Sequence, residues 1–218
     1  MKTQHHFLIF DYWEHPTDSD DRTLKNGFII PEEIAGQNVI VFISHAHTDH
    51  YDPIILSWKE KIPKITYIWG WKEKVEPLEN YFNSTRKIIS IGQIKIFNIH
   101  HEFDGIPECA FLIHVDGLWI YHAGDHGHSQ GEKNKIFKDN IEYLESLCDE
   151  LDIMFTPTWG GEYFAIQKLS PRMVFPMHDG GYEHQYAKFA QRVKSQGLKV
   201  KVGAAAKRGD VFFYKKKN

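Results

Sequence analysis

Residues 39–50 read VIVFISHAHTDH, a run of five apolar residues followed, after one serine, by three histidines and an aspartate. The apolar half, Val39–Ile43, predicts a buried strand, because β-branched and aromatic residues favour that conformation. A loop that follows a strand presents its side chains at the rim of the sheet, where binding sites commonly form. Imidazole and carboxylate groups suit zinc, iron or manganese. The segment therefore predicts a metal centre formed by His45, His47, Asp49 and His50.

The composition of the whole chain is that of an ordinary globular protein. It has 218 residues, of which 42% are hydrophobic and 25% charged, with a net charge of −3. This size suits one domain, residues 1–218. The absence of a basic excess argues against nucleic-acid binding. No apolar run is long enough to span a membrane, and the first residues lack a signal-peptide pattern, so we expect a cytoplasmic protein.

The two cysteines, Cys109 and Cys148, are far apart and lack a Cys-x-x-Cys spacing. The sequence therefore argues against a disulfide scaffold and against a thiolate zinc site. Fourteen histidines are a large number for a chain of this length, and histidine is the commonest metal-ligating side chain. Ligation by imidazole and carboxylate is the interpretation that these counts favour.

Short apolar runs that predict strands alternate with segments of helical periodicity along the chain. The pair Asp52-Pro53 predicts a helix that begins there and continues to about Lys61. Further helices are predicted over residues 136–148 and 182–196, the latter ending before Gly197. The predicted strands are at residues 7–10, 39–43, 65–69, 88–91, 94–99, 109–115, 118–122, 153–156, 173–175, 199–202 and 211–214. Such a mixture favours a layered α/β protein whose sheets are covered by helices.

The segment His45-Ala46-His47-Thr48-Asp49-His50 resembles the H-x-H-x-D-H signature of the metallo-β-lactamase superfamily. Within it, the chain is similar to the branch of small hydrolases that includes ascorbate-6-phosphate lactonase. The resemblance implies an α/β (α+β) fold, a four-layer αββα sandwich of two similar halves. The metal ligands would come from loops at one rim of the two sheets.

The resemblance also implies the remaining ligands, which are sought in chain order. A third histidine is expected after a strand, and the doublet His100-His101 leaves two choices, of which we prefer His101. Gly124-Asp125 matches the family's bridging aspartate, and His178 matches its last histidine. The implied arrangement has two divalent ions, with zinc expected and manganese or iron as alternatives. His45, His47 and His101 would bind the first ion, Asp49, His50 and His178 the second, and Asp125 both.

The activity implied by the resemblance is hydrolysis of an ester-like bond in a small molecule by a metal-bound hydroxide. The bond would be a phosphoester, a phosphodiester or a lactone. Asp49 would accept a proton, and His126, which follows the bridging aspartate where relatives commonly have threonine, would donate one or contact the substrate. His128 and Trp159 are predicted to contact the substrate. The alternative is a non-catalytic metal-binding or sensing protein of the same fold. The sequence leaves the oligomeric state open.

Overall fold

A computed structural model describes residues 1–14, 21–71, 80–103, 106–127, 132–179 and 182–216. The strands of this part of the chain are β1 Phe7–Phe10, β2 Val39–Ile43, β3 Ile65–Trp69, β4 Ile88–Ile91, β5 Ile94–Phe103, β6 Ile106–Val115, β7 Leu118–His122, β8 Ile153–Pro157, β9 Met173–Met177 and β10 Lys201–Val202. The helices are α1 Pro31–Ile34, α2 Glu132–Glu145, α3 Glu162–Leu169 and α4 His184–Ser195, with 3-10 helices at Leu24–Asn26 and Pro53–Glu60. No helix in the described ranges is both long and apolar enough to span a lipid bilayer.

The strands form a small sheet and a large one. The small sheet is parallel and has the order β1-β2-β3, so the fully buried β2 lies at its centre. The large sheet has the order β10-β9-β8-β7-β6-β5-β4 and is parallel from β7 to β10. The carboxyl ends of β7, β8 and β9 therefore meet at one edge. The loops that follow these strands carry Asp125, Trp159 and His178.

Three apolar clusters separate four layers. One cluster lies between the two sheets and includes Phe42 and Phe111, whose ring centroids are 5.6 Å apart. A second joins the large sheet to α2, α3 and α4, and a third joins the small sheet to the Pro53–Glu60 helix. The fold is thus the αββα sandwich that the resemblance implied. Its halves are unequal among the described residues, because the strands divide into three and seven.

Two predicted elements differ from those observed. Asp52 caps a helix as predicted, accepting a hydrogen bond from the Ile54 amide (2.9 Å), but the helix is 3-10. Residues three apart eclipse in a 3-10 helix, so Ile55 and Trp58 lie in line and both are buried. The strand predicted at residues 211–214 is absent, although these residues lie in the described part. The side chains of this segment still alternate between solvent and core, although the segment does not pair with a strand. Phe213 is 88% exposed, whereas Tyr214 packs against the core.

Candidate metal centre

The loop from Ser44 to His50 begins where β2 ends, at the centre of the small sheet. Ser44 and His45 are fully buried, and His50 is nearly so. The backbone amide of His50 donates to the carbonyl of His47 (3.0 Å), which closes a turn. Because of this turn, His50 lies beside His45, and the centroids of the two rings are 4.0 Å apart. The loop therefore gathers its imidazoles within the cleft between the sheets.

The predicted ligands fall into two groups within the described part of the chain. In the first group, His45 Nε2 lies 2.8 Å from His47 Nδ1 and 3.7 Å from both Asp125 Oδ2 and Glu108 Oε1. The second group consists of Asp49, His50 and His178, with the Nε2 atoms of the two histidines 2.9 Å apart. Within each group the potential ligand atoms all lie within 4.8 Å of one another. Each group is therefore compact enough to surround one ion.

Asp125 reaches both groups from the turn after β7. Its Oδ1 atom lies 2.7 Å from His178 Nε2 and 3.2 Å from His50 Nε2, while its Oδ2 faces His45. Burial acts to raise the pKa of Asp125, but hydrogen bonds from His178 and His50 outweigh it and hold the pKa well below its usual range. Gly124 permits the approach, because a Cβ atom there would lie 2.8 Å from the Cβ of Ser44. The carboxylate is thus ionised and can bridge two cations.

Asp11, at the end of β1, supports the histidine loop from behind. Its carboxylate accepts hydrogen bonds from the Ser44 amide (2.7 Å), the Ser44 hydroxyl (2.8 Å) and His50 Nδ1 (2.9 Å). The last contact leaves His50 Nε2 directed at Asp125, as in the carboxylate–histidine–metal arrangement of many metalloproteins. Although burial acts to raise the pKa of Asp11, His122, His50 and Ser44 together lower it to about 2. Asp11 therefore fixes the orientation of a ligand without itself facing the cleft.

The pKa values of the histidines around the centre are shifted in opposite directions. Burial lowers the pKa of His45 to about 4, and the nearby His50 contributes in the same direction. Burial also lowers the pKa of His122 to about 4. For His50 burial is outweighed by hydrogen bonds to Asp11 and Asp125, which raise its pKa to about 10. A cation bound to His50 would therefore have to displace a proton, so metal binding should be coupled to pH.

His126, predicted to act in catalysis, lies under Asp125 and away from the open cleft. It is 3% exposed, and its Nδ1 is 2.9 Å from the Tyr121 hydroxyl. Its Nε2 is 3.4 Å from the Asn140 amide nitrogen, and its ring packs on Phe137. Such a placement does not match a side chain that contacts substrate or donates a proton to it. The geometry instead favours a positioning residue that anchors the Asp125 turn to α2.

Of the two residues predicted to contact the substrate, the structure describes one. Trp159, after β8, is 52% exposed, and its ring centroid lies 4.6 Å from that of His178. The indole also covers Gly127, where an added Cβ would meet its Nε1 at 2.4 Å. Trp159 therefore forms a wall beside the second ligand group. His128 lies outside the described residues.

The choice between His100 and His101 is informed by the contacts of His100. Its Nε2 donates to the carbonyl of Gly70 (2.8 Å), and neither ligand group contains it. The side chain of His101 lies outside the described residues, but its backbone pairs with Glu108 in the β5–β6 ladder. Register therefore brings position 101 next to a residue of the first group. His101 as a ligand remains a prediction.

Glu108 lies outside every predicted motif, yet it belongs to the first group. It is fully buried near the start of β6, with its Oε1 3.7 Å from His45 Nε2. A sequence signal does exist, because the dipeptide Asp-Gly at positions 104–105 is a strong sequence signal for a two-residue hairpin. Such a turn pairs Phe103 with Ile106 and consequently His101 with Glu108, which is the register observed. A carboxylate that pairs across two strands with a candidate ligand histidine is itself a candidate ligand. Matching to sequence motifs does not identify it.

Comparison with known proteins identifies the family of this chain. The profile of the Beta-lactamase superfamily domain matches residues 1–178, a span that ends at His178. A UPF0173 metal-dependent hydrolase from Thermococcus onnurineus is 29% identical over 173 residues, which cover 68% of this chain and 69% of that protein. A protein of the same description from Pyrococcus furiosus is 26% identical over 182 residues, covering 75% and 76%.

A solved structure from Parabacteroides distasonis has a TM-score of 0.55 at 20% identity, covering 75% of this chain and 74% of that one. Likeness at this level of identity concerns the fold. The family profile spans most of the chain, and its relatives are named as metal-dependent hydrolases. The chain therefore belongs to the metallo-β-lactamase superfamily of hydrolases.

Proposed function

We propose that this protein hydrolyses an ester-like bond in a small molecule with the help of two divalent transition-metal ions. The observation that carries the proposal is the position of Asp125, whose two carboxylate oxygens face different ligand groups. A carboxylate placed in this way would help to hold both ions of a two-metal site. The names of the relatives support metal dependence and hydrolysis without specifying the bond that is cleaved.

The residues present fit such ions in chemical type. Both groups combine two imidazoles with carboxylates, two in the first group and one in the second, a mixture that suits zinc and is also compatible with manganese or iron. The two cysteines are not part of either group. His45, His47 and Asp125, with His101, would hold the first ion. Asp49, His50 and His178, with Asp125, would hold the second.

Ions bound here would lower the pKa of a shared water and so supply a hydroxide nucleophile near neutral pH. The protein's own groups would orient the reactants and accept the proton. Asp49 suits proton transfer because its side chain is 52% exposed at the cleft, while its Oδ2 stays 3.6 Å from His50. Because Asp49 is exposed, it can contact incoming water and substrate. Asp125 is buried and is not needed for this contact.

Trp159 supports a substrate with an apolar or ring-shaped part beside the scissile bond. Its exposed indole lies against His178, so a group stacked on it would sit next to the second ligand set. Aromatic faces bind apolar and sugar-like rings through dispersion and CH contacts. A lactone, a phosphodiester or a phosphoester of a small metabolite would meet this requirement.

The proposal is tested by reconstituting the purified protein with Zn²⁺, Mn²⁺ or Fe²⁺ and measuring bound metal and turnover together. The substrates would be a panel of lactones, aryl phosphodiesters and aryl phosphomonoesters. We expect two ions per chain and hydrolysis of at least one class. His47→Ala should reduce turnover by roughly 100-fold or more, since loss of the metal's electrostatic stabilisation is worth several kcal/mol. His114→Ala, which removes a half-buried histidine outside both groups, is the matched control.

Three outcomes would contradict this function. Bound metal without turnover on any substrate would favour a metal-binding or sensing protein of the same fold. Protein that binds no metal, or activity that survives His45→Ala, would refute the metal-dependent mechanism.

A further inference from the structure

Glu108 is a carboxylate in the interior of the protein. It is 0% exposed, and the five residues that follow it in β6 are also fully buried. Glutamate is rarely buried to this extent unless its charge is paired or bound to a metal. Oε1 of Glu108 lies 3.7 Å from Nε2 of His45, within ion-pair distance. The buried carboxylate therefore adjoins one of the candidate metal ligands.

Glu108 could either orient His45 or bind the metal ion itself. The side of His45 that it faces distinguishes these two roles. A carboxylate that only orients a ligating histidine contacts the nitrogen remote from the metal, as Asp11 contacts Nδ1 of His50. In His45 the remote nitrogen is Nδ1, which lies 2.9 Å from the Ser44 hydroxyl. Glu108 instead faces Nε2, as the bridging Asp125 does. Glu108 therefore occupies the position of a ligand.

The distances agree with a shared ion. Metal–ligand bonds of about 2.0–2.2 Å place neighbouring ligand atoms roughly 2.8–3.6 Å apart at the bond angles common in protein sites. His45 Nε2 is 3.7 Å from Glu108 Oε1, 3.7 Å from Asp125 Oδ2 and 2.8 Å from His47 Nδ1. All four ligand atoms of this group lie within 4.8 Å of one another. Small side-chain movements would suffice to close them around one ion.

Backbone contacts hold Glu108 in this place. The amide of the next residue, Cys109, donates to the carbonyl of Ser44 (3.1 Å), which joins β6 to the histidine loop directly before His45. Gly70 packs at the same junction, where a Cβ atom would meet the Ser44 carbonyl oxygen at 2.1 Å. The contact of Glu108 with His45 is therefore built into the packing of β6 against the loop.

We infer that Glu108 is a ligand of the first metal ion, in addition to the ligands that the family signature supplies. This inference rests on the proposed function. The first site would then contain two imidazoles and two carboxylates from the described residues. The extra carboxylate lowers the net charge of the loaded site by one unit. It also makes the site richer in oxygen ligands, which favours manganese relative to a site of imidazoles alone.

Infrared difference spectroscopy tests the inference on the wild-type protein. The protein would be prepared with isotope-labelled glutamate, and spectra recorded before and after addition of Zn²⁺ or Mn²⁺. We expect a metal-dependent shift of a labelled carboxylate band that is absent in Glu108→Gln. Should Glu108→Gln fail to fold, Glu108→Asp removes the labelled group while keeping its charge. No shift of a glutamate band in the wild type would overturn the inference.

Metal affinity gives an independent measure. In competition with a chromophoric chelator, Glu108→Gln should weaken binding of one ion by more than about 100-fold, the upper end of the loss caused by an outer partner. The absorption spectrum of bound Co²⁺ should change with it. Asp152→Asn is the matched control, because Asp152 is equally buried but accepts its hydrogen bonds from Trp119, Tyr214 and Lys216, outside both ligand groups. Wild-type affinity and an unchanged cobalt spectrum in Glu108→Gln would refute the role.

The two hypotheses fail in different ways. If the wild-type protein binds no Zn²⁺, Mn²⁺ or Co²⁺, the proposed metal-dependent function fails. If it binds two ions without any glutamate signal, the function stands and only the role of Glu108 is lost.

Discussion

Replacing Asp11 by asparagine should weaken both the fold and the metal centre. The carboxylate accepts hydrogen bonds from the amide and hydroxyl of Ser44 and from His50, and asparagine retains the shape but not the charge. A pKa lowered to about 2 corresponds to roughly 2.5 kcal/mol of preferential stabilisation of the ionised form in the folded protein. We therefore expect Asp11→Asn to lower the free energy of unfolding by about 2 kcal/mol at neutral pH.

The pH dependence of this difference has a definite sign. The pKa of Asp11 is depressed on folding, so its contribution is fully present above the unfolded value near 3.9. It is lost as pH falls through the folded value of about 2. Urea denaturation of the chelator-treated proteins at pH 7 should therefore show this difference between wild type and variant in full. The affinity for the ion on the His50 side should fall roughly 10–100-fold, as for other outer carboxylates.

Asp116→Asn is a control of matched chemistry and backbone conformation. Asp116 has a φ of 49°, close to the 44° of Asp11, and asparagine tolerates this left-handed region equally well. Its carboxylate accepts from Thr3 and from the His5 amide, remote from either ligand group. Asp116→Asn should reduce stability without reducing metal affinity. The reasoning fails if Asp11→Asn leaves both quantities unchanged, or if Asp116→Asn reduces metal affinity to the same extent.

Three further perturbations have expected outcomes. Removing metal with a chelator should lower the unfolding temperature, because an ion held at 100 times its Kd stabilises by about 2.7 kcal/mol; an unchanged temperature contradicts binding to the folded state. Gly70→Ala should lower the free energy of unfolding by at least about 2 kcal/mol, because its Cβ would lie 2.1 Å from the Ser44 carbonyl oxygen. Gly36→Ala should not lower it, because a Cβ there would have no atom within 4 Å. Chemical denaturation of the two variants tests this difference. Burial lowers the pKa of His122 to about 4, so its protonation opposes folding as pH falls from about 6.5 to 4. Stability in that window should therefore fall less steeply in His122→Phe, which keeps the stack on Phe10, and equal slopes would contradict this account.

The core of the fold and much of the site could be predicted from local patterns. β2 and its loop were predictable because a β-branched run and four ligand-type residues adjoin within the chain. The groups around His45 and His50 lie together as their spacing suggested. Prediction was weaker where an element depends on its neighbours. Residues 211–214 have strand-like alternation but form no strand in the described structure, since a strand also needs a partner edge.

The role of His126 shows the same limit within the site. Its position directly after Asp125 suggested contact with substrate, but a residue's direction from a turn is set by the packing around it. Tyr121 and Asn140 engage its ring from β7 and α2, so it lies beneath the site. Sequence adjacency to a ligand therefore did not predict orientation toward the cleft.

The sequence by itself determined the ligand-bearing loop and the mixture of strands and helices, because periodicity and a compact motif are properties of consecutive residues. The αββα layering followed from the family resemblance that this motif carries. Only the tertiary structure decided which residues from distant segments meet. Asp125 joins the two groups because parallel strands of the large sheet end at one edge and Gly124 allows close approach to Ser44. Glu108 meets His45 because β6 is hydrogen-bonded to the histidine loop through Cys109. Such meetings depend on strand order and register, which no single segment encodes.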